Sequence, residues 1–388
     1  MTKVKELANK YKDYTIALRR DFHMYPEASM KEYKTSGKIL KELNKMNIEC
    51  EKVADTGVIA TIKGKGDGKT IALRADIDAL EVKEENNVSY KSRNEGLMHA
   101  CGHDGHTASL LTAAKILNDI KDEFSGSVKL IFQPGEEVAL GAKKMITNGA
   151  LEDVDGIFGI HIWNDLEAGK VSVEKGPRMA SAGKFSINVE GKGGHGSMPH
   201  QGVDAVLVGS AIVMNLQSVV SREISPLDPS VLSVGIFNSG SRFNVMAGSA
   251  YLEGTTRCFN MEVNDRFEDI IKRIVNKTCE TYKAKAKVKY EQLVIPTIND
   301  DFMSEIGENA VKKLKGLDAV STYEKTTGGE DFSFYTVNTP SAFAFVGSKN
   351  EKKVDYYPHH HSKFDIDEEA LLISSGLYAQ FAIDFLNK

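Results

Sequence analysis

Cysteine is scarce in this chain of 388 residues: Cys50, Cys101, Cys258 and Cys279 lie far apart, and no C-x-x-C pair occurs. That spacing excludes a disulfide framework and a structural zinc ribbon. No apolar run of about 18 residues is present, so no membrane span is expected. The first fourteen residues are charged and amphipathic and lack the apolar core of a signal peptide, so a cytoplasmic location is expected. A strong excess of one charge is missing too, and a net charge of -5 gives no reason to expect nucleic acid or another polyanion as partner. Several catalytic signatures are absent. Gly68-Lys69-Thr70 lacks the glycine of a phosphate loop, because residue 63 is Lys, and it leads into a strand. There is no G-x-S-x-G elbow, no H-E-x-x-H helix and no dinucleotide fingerprint around Gly191-Lys-Gly-Gly-His-Gly.

What is present suits a soluble two-domain chain, 41% hydrophobic and 27% charged. Helical periodicity marks the opening stretch (Val4, Leu7, Tyr11, Tyr14), residues 33–47, and Thr107 to Leu117. Short apolar runs end in polar clusters: Ile71–Ala75 at Asp76 and Asp78, Val128–Phe132 at Gln133-Pro-Gly-Glu136-Glu137, and Gly156–Ile160 at His161. Strands alternating with helices predict an α/β domain with a largely parallel sheet, whose chemistry sits at the carboxyl ends of the strands. Near residue 180 the texture changes. An alternating strand at 184–190, a helix at 203–221, strands at 231–237 and 250–256, a helix at 264–283 and a strand at 286–291 give the order β-α-β-β-α-β. That order predicts a small ferredoxin-like sandwich inserted over 181–293, with 1–180 and 294–388 forming a discontinuous first domain.

The chemistry concentrates in Met98-His-Ala-Cys101-Gly-His103-Asp-Gly-His106, nine residues holding a thiol, three imidazoles and a carboxylate. Cys101 and His103 supply a soft and a borderline donor two residues apart, as a transition-metal site requires. Nine of the ten histidines fall into four clusters: 99/103/106, 161, 195/200 and 359/360/361. His161 alone reads as an ordinary strand-end histidine, but beside Cys101, His103 and the Glu136–Glu137 pair it reads as a ligand. Adjacent glutamates in a tight turn point apart, so one can hold a metal while the other faces water whose pKa a metal lowers. A solvated acidic turn is the plain alternative, and the Gln-Pro-Gly before it argues for rigidity.

In order, these segments resemble the M20 metallopeptidase family, and within it the amidohydrolase branch of aminoacylases, hippurate hydrolases, auxin-conjugate hydrolases and N-acetyldiaminopimelate deacetylases. The resemblance runs through Arg19-Arg20-Asp-Phe-His23-Met-Tyr-Pro-Glu27, Leu73-Arg-Ala-Asp76-Ile-Asp78-Ala-Leu80, residues 98–106, Phe132–Glu137 and Gly159-Ile-His161. It continues through Gly193-Gly-His195-Gly-Ser-Met-Pro-His200, Gly328-Gly-Glu-Asp-Phe332 and His360-His-Ser-Lys-Phe364. It implies a di-metal catalytic α/β domain with an inserted α/β sandwich as lid and dimerisation domain, in a homodimer or homotetramer. It implies two divalent ions per subunit (Mn2+, Zn2+, Co2+ or Ni2+) on Cys101, His103, Glu137, His161 and His360. His360 is preferred to His361 because the family's ligand stands four residues before an aromatic, here Phe364; Ser362 replaces the usual proline of that segment. Glu136 is then the general base. His195 is an oxyanion donor that reaches a neighbouring subunit's site, with a turn-capping histidine as the structural alternative. Asn244 and Arg257 read the substrate carboxylate, a salt bridge being the alternative for Arg257. His99, His106, His200, Asp76, Asp78 and Asp104 are expected to orient or pack around the ligands, Glu330 and Asp331 to orient the ligand loop, and His23 to be structural. The implied reaction is hydrolysis of a small N-acyl (N-acetyl or aroyl) amino acid. A dipeptidase or carboxypeptidase of the same family, and a non-catalytic metal-binding relative, are the alternatives.

Overall fold

The structure, a computed structural model, describes residues 2–352 and 354–388. The chain divides into two compact units, one of Met1–Gly176, Ile298–Glu324 and Asp331–Lys388, the other of Pro177–Thr297 and Lys325–Glu330.

The larger unit is built on a seven-stranded sheet. Its centre is parallel: Ser127–Gln133, Thr70–Asp76, Gly156–Glu167 and Ser341–Lys349 lie side by side in that order. The flanks are antiparallel, with Glu49–Val53 and Gly57–Lys63 on one side and Val171–Ser172 on the other. The parallel strands are nearly continuous apolar runs because helices cover them. Two of those helices, His103–Asp119 and Glu369–Leu386, are buried over most of their surface and form the centre of the core with Leu73, Phe132, Phe158 and Ile160.

Three details depart from the sequence reading. The opening stretch is two helices, Lys3–Lys10 and Lys12–Met24, because the chain leaves helical geometry at Tyr11. The helix expected over Thr107 to Leu117 begins four residues earlier, at His103, where Gly102 adopts φ +96° and turns the chain into its first turn. His161 is not at the end of its strand, which runs on to Glu167. The pairing of that strand with Thr70–Asp76 stops at Gly159, so His161 still stands where the neighbouring strand has ended.

The smaller unit is a four-stranded antiparallel sheet in the order Ser230–Ser239, Ser249–Cys258, Ala182–Glu190, Lys285–Val294. Helices Ala205–Ser218 and Met261–Thr281 pack with it around Phe185, Ile187, Leu252 and Phe267. This is the β-α-β-β-α-β order of a ferredoxin-like sandwich. One helical stretch here, Ala205–Glu223, is long and apolar enough to cross a membrane by length and composition, which the sequence reading did not expect. One face of it, Ala205, Val208, Ile212 and Leu216, is buried within its own unit.

Candidate metal centre

Three loops and one strand converge at the carboxyl side of the central sheet, as parallel α/β sheets dictate. The turn after Ser127–Gln133 carries Glu136 and Glu137, and Gly135 takes φ +62° with its Cα against Met30, where a side chain would collide with the Met30 sulfur. The residues before helix His103–Asp119 carry Cys101, and its first turn carries His103. His161 comes from the longest strand, and His360 from the loop before the last helix.

The atoms these side chains offer lie close together. Cys101 Sγ is 3.5 Å from His161 Nε2. His103 Nε2 is 3.8 Å from a Glu137 oxygen, and His360 Nε2 is 3.5 Å from the other. Cys101, His103 and His161 form one group with all donor atoms within 4.8 Å, and Cys101, Glu137 and His360 form a second. Hydrogen bonds fix the histidine tautomers. His103 donates from Nδ1 to the Asp78 carbonyl at 2.9 Å, and His161 donates from Nδ1 to the Ile162 carbonyl at 2.8 Å. In its neutral form each ring therefore turns the Nε2 lone pair to the cluster, the arrangement of metal-binding imidazoles.

Among the described residues, His103 Nε2 and Glu137 Oε1 are buried with no hydrogen-bond partner. Orphaned polar atoms of this kind are costly unless something binds them. A mixed sulfur, nitrogen and oxygen set suits a borderline transition metal. These residues therefore fit the divalent ions that the sequence implies. The electrostatics agree. Burial raises the Glu137 carboxyl to about 7, and burial pushes the Cys101 thiol well above its usual value. Burial works to lower His103, but Asp76 and the hydrogen bond to Asp78 hold it well above the ordinary imidazole range. Burial drives His161 well below that range. A cation would relieve the protonated acid and thiol together.

A shell of buried charge holds these donor side chains. Asp78 is its hub: it accepts the backbone N–H groups of Glu136 and Glu137, both at 3.1 Å, and the Ser29 hydroxyl at 2.6 Å. His106 is not free to bind metal. Its Nδ1 donates to Asp76 at 2.6 Å and its Nε2 accepts the Ile162 N–H at 2.8 Å, tying the strand of His161 to the neighbouring one. Asp76 also receives Arg74, whose guanidinium bridges to Gln133 and Asp331. Asp331 in turn accepts the Ala142 N–H at 2.9 Å, and its own N–H lies 3.4 Å from Glu136 Oε1. His99, expected among the orienting residues, is buried with neither nitrogen hydrogen-bonded, and burial lowers it to about 4. His23 joins Asp104 and Glu84 in a buried network. Asp78→Ala is expected to destabilise the fold by about 1–3 kcal/mol for each donor left dry. A denaturant titration checks it, and an unchanged midpoint would show that the glutamate turn holds itself.

Two neighbours escaped the sequence reading. The Trp163 ring lies 5.2 Å from the His161 ring and 4.7 Å from that of His359. The period of two along a strand puts residue 163 on the face of residue 161, so that signal was available. For His359 there was none, since three consecutive histidines look alike. His359 bonds to the Ile162 carbonyl, and His361 stacks on Tyr357.

The remaining candidates lie in the smaller unit. His195 is exposed on a two-stranded ribbon paired to Val245, and the Gly196 N–H donates to the Asn244 carbonyl at 3.0 Å, so His195 and Asn244 are neighbours. His195 Nδ1 accepts the Ser197 N–H at 3.1 Å, which leaves the proton on Nε2 and that nitrogen free to donate. Arg257 is half-buried on the strand Ser249–Cys258 and bonds to Thr255 and Thr256. Among the described residues it has no carboxylate partner, and burial lowers its pKa. His200 is exposed in a short turn of the same unit.

Comparison with known proteins adds a family. The model of peptidase family M20/M25/M40 matches residues 72–384. Thermostable carboxypeptidase 1 of Saccharolobus solfataricus is 39% identical over 100% of this chain and 99% of its own length. An N-acetylcysteine deacetylase of Bacillus subtilis is 40% identical over 95% of this chain and 96% of its own. A crystal structure from Bacillus subtilis, described as a dinuclear metal-binding peptidase of the M20 family, superposes with a TM-score of 0.87 at 35% identity, covering 98% of this chain and 99% of that one.

Proposed function

This chain belongs to peptidase family M20/M25/M40 and is a metal-dependent hydrolase of amide bonds, and from that premise we propose that it cleaves N-acyl amino acids, releasing the free amino acid. The observation that carries this reading is the convergence of five donor side chains on one spot with a further carboxylate, Glu136, beside them. Cys101, His103 and His161 would hold one divalent ion, and Glu137 and His360, close to the same thiol, the other. Bound there, the ions supply the positive charge that polarises an amide carbonyl and acidifies water towards neutrality. Glu136 takes the proton of the attacking water and hands it to the departing amine. His195, reaching a neighbouring subunit's site, donates from Nε2 to the oxygen that becomes negative at the tetrahedral stage. Arg257, with no carboxylate partner among the described residues, takes the carboxylate of the substrate together with Asn244. The relative acting on N-acetylcysteine supports this substrate class; the carboxypeptidase relative supports the second reading, in which the same groups cut a peptide from its C-terminus. Turnover of a panel of N-acetyl and N-benzoyl amino acids against dipeptides and N-blocked dipeptides decides between them. Hydrolysis confined to the peptides would overturn the first.

Metal occupancy has its own readout. Trp163 is the only tryptophan of the sequence, and its ring packs on that of His161. Titrating stripped protein with Co2+ or Ni2+ is expected to quench its emission until the site that includes His161 is filled. Emission that stays constant while metal is taken up would remove His161 from the ligand set.

The inserted sandwich is proposed as lid and dimerisation domain, over the residues 181–293 expected from sequence. Its helix Ala205–Ser218 exposes Leu207 (52%) and Met214 (71%), and the edge strand Ser230–Ser239 exposes Val231, Ile236 and Phe237. An open apolar edge of this kind is normally covered. Leu207→Glu with Met214→Glu is expected to convert a homodimer to monomer in sedimentation; a wild-type mass would place the interface elsewhere.

A further inference from the structure

The segment Arg19–His23 has no part in the chemistry above, yet it holds a fully buried cation near the centre. Arg19 is fully buried. Its Nε donates to Asp104 at 2.8 Å and its Nη2 to Asp365 at 2.8 Å, with Glu368 at 3.6 Å from Nη1. Asp104 is the residue after His103, and Asp365 closes the loop that begins at His359. One side chain therefore grips both segments that carry ligands far apart in sequence.

The loop needs such a grip. His103 and His161 each have a hydrogen bond that orients the ring, but among the described residues the imidazole of His360 has none. Its side chain is 53% exposed, and its backbone sits at φ +66°, a conformation that persists in a non-glycine residue only where the surroundings impose it. What fixes His360 is thus the backbone of its loop. The His360 N–H bonds to the Ala100 carbonyl, Glu85 to Ser362, and Asn86 to the Phe364 carbonyl. The Arg19–Asp365 pair is buried, and Tyr90 braces the second Asp365 oxygen at 2.7 Å. A buried ion pair contributes little net stability, whereas a planar guanidinium fixes the direction of each partner.

We propose that Arg19 is a positioning residue for the metal centre: by locking the His360 loop to the first turn of helix His103–Asp119, it sets the affinity of the ion that uses His360 and leaves the other ion nearly unaffected. The inference rests on the ligand assignment made under the proposed function.

The test is a two-site Co2+ titration of stripped protein, following thiolate absorption from Cys101 and bound metal per chain. Asp365→Asn keeps the shape of the loop and removes the charge Arg19 holds. It is expected to weaken one ion roughly 10- to 100-fold, the range for loss of a partner that orients a ligand, and to leave the other as in wild type. Arg19→Met should do the same; if it does not fold, Asp365→Asn carries the test. Arg20→Met, which removes the neighbouring pair with Glu368, is expected to change neither affinity. At saturating Co2+ the Asp365→Asn enzyme should regain wild-type kcat. Two unchanged affinities in folded Asp365→Asn protein would overturn the proposal, as would an equal fall in both that tracks the loss of thermal stability. His360→Ala separates the premises: if it leaves both ions bound as in wild type, the ligand assignment fails; if it loses one ion while Asp365→Asn loses none, only the role of Arg19 fails.

Discussion

Glu136→Gln is expected to bind both metal ions with unchanged affinity and to hydrolyse almost nothing. The substituted side chain keeps its size and can still face the Asp331 N–H, but it cannot accept a proton. The turn stays in place, because the backbone N–H groups of residues 136 and 137 are held by Asp78 and not by the Glu136 side chain. Loss of a positioned acid–base group typically lowers the rate by roughly 100- to 10,000-fold. Single-turnover hydrolysis and metal analysis on the same preparation check it. Loss of metal at wild-type fold would exchange the roles assigned to the two glutamates. The division rests on where each carboxylate lies: Glu137 faces His103 and His360, with one oxygen buried and unpaired, while Glu136 reaches Asp331.

His195→Ala is expected to lower kcat by about 100- to 1000-fold, the cost of removing one preorganised donor to a developing oxyanion. Metal content and thermal midpoint should stay as in wild type, because the residue is exposed, belongs to the smaller unit and is no proposed ligand. Substrate KM should change far less than kcat, since the interaction forms only as charge builds on the carbonyl oxygen. His195→Gln, which can still donate, is expected to recover part of the rate. A fall in KM-dependent binding with unchanged kcat would instead make His195 a substrate-binding group. The Ser197 N–H bond to Nδ1 is the reason for choosing donation over proton abstraction: it consumes the lone pair a base would use.

The helix 33–45 and the sandwich strands were legible because each shows a single period over many residues. The break at Tyr11 was not, because the apolar beat of the opening stretch continues through it and only the backbone angles change. The donor side chains of Cys101, His103 and Glu137 were legible as residue types crowded beside glycine and proline. The hub role of Asp78 was not, because it and Asp76 stand two residues apart and only coordinates assign the N–H groups of the glutamate turn to one and His106 to the other.

Donor chemistry is a property of residue type and local spacing, so the sequence alone determined that this chain carries a thiol, imidazoles and paired carboxylates suited to divalent metal, on an α/β scaffold with an inserted sandwich. Which nitrogen of each histidine faces the centre, that His106 is spent on Asp76 and the backbone, and that Arg19 joins two ligand segments were decided only in three dimensions. Hydrogen bonds between groups up to 346 positions apart fix those choices, and no periodicity or local propensity records contacts at that range.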